Sequence, residues 1–149
     1  MSNDSNLADP VTRAVAIAGL AGVALIHVLD AHDTFIQAPY KGWLYVGLIG
    51  SSLVTAGLLL RRPSRGAWLA AAVLPLSAFA AFVWSRTVGL PNGADDIGNW
   101  WEPLGLASLY VEASLVALAA AVLSERAKHS AEPVPSLRFA EPSFERSVR

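Results

Sequence analysis

Apolar residues occupy four long, almost unbroken stretches of the chain, and charged or turn-forming residues gather between them. Residues 14–29 hold His27 as their one strongly polar side chain, residues 43–60 and 67–84 hold no charge, and residues 103–123 hold one, Glu112. A bilayer core of about 30 Å takes about 20 mostly apolar helical residues to cross. The pattern therefore predicts four membrane spans, at about 11–31, 42–60, 67–90 and 102–124. A soluble protein can bury one such helix; four in succession with short connections point to the membrane.

The connections carry turn signals. Pro39 and Gly42 punctuate the first, Arg61-Arg62-Pro63-Ser64-Arg65-Gly66 forms a charged second, and Pro91-Asn92-Gly93 opens a longer polar third. Short loops favour antiparallel neighbours, so the expected fold is all-α, an up-down-up-down four-helix transmembrane bundle. No internal repeat is evident. Residues 1–10 read as a short tail, 11–124 as the transmembrane domain, and 125–149 as a flexible cytoplasmic tail with Pro133, Pro135, Pro142, Phe139 and Phe144.

Lysine and arginine set the orientation. Arg13, Arg61, Arg62, Arg65, Arg126 and Lys128 fall on one side, and only Lys41 and Arg86 on the other. Six against two places both termini in the cytoplasm and the protein in the cell membrane as a multi-pass chain. The first ten residues contain Asp4 and Asp9 and no cation, a poor start for a signal peptide, so the first span is expected to be permanent. Tyr40, Trp43, Tyr45, Trp84, Trp100 and Trp101 fit an interfacial aromatic belt.

Composition narrows the function. Of 149 residues, 54% are hydrophobic and only 15% charged, too little polar surface for a soluble domain. The absence of cysteine excludes disulfides, thiolate catalysis and cysteine-ligated metal clusters. A net charge of −1 gives no footprint for nucleic acid. No phosphate-binding glycine loop, HExxH or GxSxG motif occurs.

Chemistry then rests on polar groups at membrane depth. Glu112 lies nine residues into the fourth span, about 13 Å down a helix and near the bilayer midplane. A carboxyl there is either protonated or partnered. Gly105, Ser108, Glu112 and Ala119 share a face, and Ser51, Ser52, Thr55 and Ser77 are candidate partners from other spans. The residue is either a neutral group hydrogen-bonded to hydroxyls, a proton- or cation-handling carboxylate, or a ligand. His27, Asp30, His32 and Asp33 gather at the outer end of the first span. Imidazoles and carboxylates suit a transition metal, and haem between two copies of His27 in a homo-oligomer is a further option. A wet interface is the plain alternative. Arg86 is placed to snorkel or to pair with Asp30, Asp95, Asp96 or Glu102, a pairing that would order the third loop over the outer mouth. Pro75 is expected to kink the third span. Gly19, Gly22, Gly47, Gly50 and Gly57 read as packing positions.

Three segments carry a resemblance: Leu25-Ile26-His27-Val28-Leu29-Asp30, Ser85-Arg86-Thr87-Val88-Gly89-Leu90-Pro91, and Gly98-Asn99-Trp100-Trp101-Glu102-Pro103-Leu104-Gly105 running on to Glu112. Over residues 12–124 the chain resembles small four-span membrane proteins of actinobacteria, a family that implies the topology and no activity.

Three functions follow as expectations. The first is a non-enzymatic accessory or scaffold subunit that contacts lipid and itself or another membrane subunit, with an outer His27/Asp30/His32 site for a metal or haem. The second is a proton-coupled or cation carrier using Glu112. The third is a small membrane metalloenzyme built on His27, Asp30, His32 and Glu112.

Overall fold

The structure is a computed structural model that describes residues 10–131, with side chains to residue 128. Of the expected tails, 1–10 and 125–149, residues 1–9 and 132–149 lie outside the described residues, while Pro10 begins the first helix and residues 125–131 continue the last. Helices α1 (Pro10–Gln37), α2 (Pro39–Arg61), α3 (Arg65–Thr87) and α4 (Pro103–Ala131) follow in order. Each of the four is long and apolar enough to cross a bilayer.

Helix α1 continues past the expected end of its span at 31, and only Ala38 separates it from α2. Pro39 explains the break. It fixes its own φ as the first residue of α2 and holds Ala38 extended, at φ −151° and ψ 94°. Gly42, expected to punctuate this turn, lies inside α2 instead. A Cβ at Gly42 would strike the ring of Phe35, so glycine lets the two helices close tightly beyond the turn.

The second turn is capped on both sides. The Arg62 amide donates to Leu58 O, and Ser64 Oγ accepts from the Ala67 amide at 3.2 Å to start α3. Helix α3 runs through Pro75, which is fully buried and leaves the Ala71 carbonyl without its helical donor. Helix α4 extends to Ala131, beyond the expected span end at 124.

The four helices form a square. Helix α1 packs most closely on α2 and α3 on α4, the α1–α4 contact is next, and α2–α3 is thin. Helices α2 and α4 stand diagonally, with no close backbone approach among the described residues. Gly19 and Gly22 of α1 lie against Leu115 and Val111 of α4, as packing glycines should. Among the described residues Gly47, Gly50 and Gly57 of α2 meet no neighbour, so they do not bring helices of this chain together.

Burial is inverted relative to a soluble domain. Leu25, Leu44, Val54, Leu60 and Val73 are exposed, while Ser52, Thr55, Ser85, Ser108 and Glu112 are buried. Such an apolar surface needs an apolar solvent. The buried interior divides in two. Ala16, Leu20, Leu59, Trp68, Leu115 and Ala119 form an apolar core toward the α2–α3 turn. Polar side chains fill the other half, beneath the α3–α4 loop.

Candidate functional site

The α3–α4 loop is built as a cap over the end of the bundle at which α1 meets α2. Residues 90–93 form a tight turn, with the Gly93 amide donating to Leu90 O at 2.9 Å and Asn92 at φ 56°. A 3-10 turn, Ala94–Asp96, follows. The Gly98 amide returns to Arg86 O at 2.9 Å, a path that needs Gly98 at φ 79°. Tyr40 Oη donates to Pro91 O at 2.7 Å and ties the loop to α2.

Charges complete the cap. Arg86 reaches Asp96 Oδ1 at 2.9 Å with one guanidinium nitrogen and Glu102 with another. Its guanidinium also lies over the Phe82 ring, 4.6 Å from the centroid. Lys41 Nζ donates to Asp96 Oδ2 at 3.0 Å. Asp96 therefore bridges α2 and α3. Asp95, the other loop carboxylate considered for this pairing, is exposed. Lys41 was visible in the sequence only as an orientation charge; its single position in an otherwise uncharged first turn was the available signal.

Beneath the cap, α1 and α2 meet through Asp30, which accepts from Tyr45 Oη at 2.9 Å and from Thr34 Oγ1 at 3.2 Å. Tyr45, expected in the interfacial belt, turns inward, and its ring meets that of His27 edge-on at 4.7 Å. Trp43, Trp84 and Trp101 do face outward at this end.

Deeper still, His27 and Glu112 come together. Glu112 is 1% exposed and His27 7%. His27 Nδ1 is 2.8 Å from Val23 O, so Nε2 is the nitrogen turned to Glu112, with Oε1 at 4.0 Å. Ser108 Oγ donates to Glu112 Oε1 at 2.7 Å, and among the described residues Oε2 has no hydrogen-bond partner. The hydroxyls expected from the second and third spans make no hydrogen bond to Glu112 among the described residues. Thr55 bonds Ser51 O, Ser77 bonds Leu74 O, and Ser52 lies buried without a partner. Helix α2 is diagonal to α4, which puts Ser52 and Thr55 out of reach.

The metal-ligand set does not converge. His32 and Asp33 remain on helix α1 and are exposed, on a different face from buried His27. Asp30 is engaged by Tyr45 and Thr34. Among the described residues no group of three or more His, Asp or Glu side chains could hold a metal ion. His27 is enclosed by its own chain, which also disfavours haem shared between two copies.

A cavity of about 660 Å³ connects these layers. Lys41, Arg86 and Asp96 line its capped end and His27 and Glu112 its depth, with Leu44, Leu74 and Phe82 among its apolar walls. The volume matches a small-molecule site, and the lining mixes apolar walls with many polar and charged side chains. No family model, curated protein or solved structure matches the chain.

Proposed function

We propose that the chain is an integral protein of the cell membrane, both termini cytoplasmic, and that it works as a proton-coupled carrier with Glu112 as the exchanging carboxyl. The observation that carries this reading is the state of Glu112. A carboxyl serving only to tie helices together would have both oxygens satisfied. This one has one oxygen held by Ser108 and the other free, lines a cavity, and faces an imidazole. With Nδ1 committed to Val23 O, His27 Nε2 is the basic nitrogen. One proton can then reside on Glu112 or on Nε2. On the cap side of the pair, Tyr45 packs edge-on against His27 and donates to Asp30. The orientation rests on the six cations at the α2–α3 end, against Lys41 and Arg86 at the cap.

Infrared titration of the reconstituted protein tests the exchange. The expected result is a protonated-carboxyl stretch that comes and goes with pH, disappears in Glu112→Gln, and shifts in His27→Gln. A Glu112 band indifferent to pH would overturn the carrier reading.

A second reading, an accessory subunit that packs on the glycine face of α2, is favoured by the open sites at Gly47, Gly50 and Gly57. A complex purified from the native host at the mass of one chain would count against it.

A further inference from the structure

A second hollow, about 570 Å³, lies between α2 and α3 on the outer surface of the bundle. Gly47, Ser51 and Leu74 line both this groove and the internal cavity. The two spaces therefore share a wall, at the seam where the helices pack thinly and where α2 presents no side chain at Gly47 or Gly50. The groove is walled by Val46, Val54 and Val73, and it opens on the part of the bundle that faces hydrocarbon. On this side only that shared wall stands between the cavity and the outer groove, while the ion-paired loop covers its end.

The charges inside select what the cavity holds. Its lining carries Lys41 and Arg86 against Asp30, Asp96, Glu102 and Glu112, two cations to four carboxylates. Both cations are spent on Asp96 and Glu102. Among the described residues Asp30 has only hydroxyl donors, and Glu112 keeps a buried oxygen with no partner. An anionic head would meet surplus carboxylates; a cationic one would meet two carboxyls that no lysine or arginine pairs with among the described residues.

Resting on the carrier reading, we infer that the cavity takes a lipophilic cation, a hydrophobic amine or quaternary cation, that enters from the bilayer through the α2–α3 seam and displaces the proton of Glu112. Apolar parts lie against Leu44, Leu74 and Phe82, and the charge sits near Glu112 and His27. Proton and cation then compete for one carboxyl, and each weakens the other's binding by the same factor.

Full-length protein in lipid nanodiscs, titrated calorimetrically with tetraphenylphosphonium and with tetraphenylborate of the same shape and opposite charge, tests this. Tetraphenylphosphonium is expected to bind with release of about one proton, in keeping with that reciprocity, and at least about tenfold more tightly than the borate. Glu112→Gln, which keeps an acceptor for Ser108, is expected to weaken it at least about tenfold, an effect of about 1.4 kcal/mol. Gly47→Leu, whose new side chain enters open space, is expected to slow association about tenfold, whereas Gly57→Leu, which lines neither space, is not. Equal binding of the borate, unchanged binding in Glu112→Gln, or unchanged entry in Gly47→Leu would each overturn the inference. If the cation does not bind and the Glu112 infrared band still titrates, the ligand assignment fails and proton exchange stands. If it binds with proton release but an imposed pH difference drives no uptake into proteoliposomes, the carrier reading fails and the ligand site stands.

Discussion

The two halves of this bundle are made of the same four helices and differ in what those helices bury. Toward the α2–α3 turn, Trp68, Leu20 and Leu59 are fully enclosed and the glycines of α1 bring α4 close. Toward the cap, the buried side chains are His27, Lys41, Arg86, Ser108 and Glu112, and they surround empty volume. Apolar packing in a membrane gains little from hydrophobicity and much from close contact. The first half therefore holds the helices together, and that frees the second to keep a cavity and unsatisfied polar atoms. The difference teaches where to look for function in a small membrane protein: in the half that packs worse.

Three substitutions test this contrast. Trp68→Ala strikes the packed half and should cost about 3–5 kcal/mol, read as lost resistance to unfolding in detergent, while the folded fraction keeps its Glu112 infrared band. Arg86→Gln leaves Asp96 and Glu102 without their shared cation. The expected cost is about 2 kcal/mol, below that of a fully buried pair because both carboxylates keep water, and the 88–102 loop should become open to proteolysis. An unaltered cleavage rate would mean that Tyr40 and Lys41 hold the loop alone. Glu112→Gln should cost under about 1 kcal/mol, since the amide oxygen still accepts from Ser108. A loss as large as that of Trp68→Ala would make Glu112 a structural keystone and erase the contrast between the halves.

The spans were legible in the sequence because length and apolarity decide them locally. Pro39, the Arg62-Pro63-Ser64 turn and Pro91-Asn92-Gly93 marked the breaks for equally local reasons. The site was legible as a set of residues but not as an arrangement. Ending the first span at 31 put His27 one turn from the surface, well above Glu112. Helix α1 runs on to Gln37, ten residues past His27, so both side chains lie about 13–15 Å from the capped ends of their helices and meet. The same extension keeps His32 on the helix and turns it outward, dispersing the expected ligand cluster. Which helices stand diagonal is a property of the whole bundle, and no span sequence announced that Ser52 and Thr55 would miss Glu112.

The single-residue link at Ala38 has a mechanical consequence. It binds α1 and α2 into one stiff leaf, and the cap, anchored at both its ends, makes α3 and α4 another. The leaves share a broad seam along α1–α4 and a narrow one along α2–α3. A change in the width of the cavity is then a book opening: the α1–α4 seam is its spine, the glycine edge of α2 is its fore-edge, and the bridging Asp96 is the clasp.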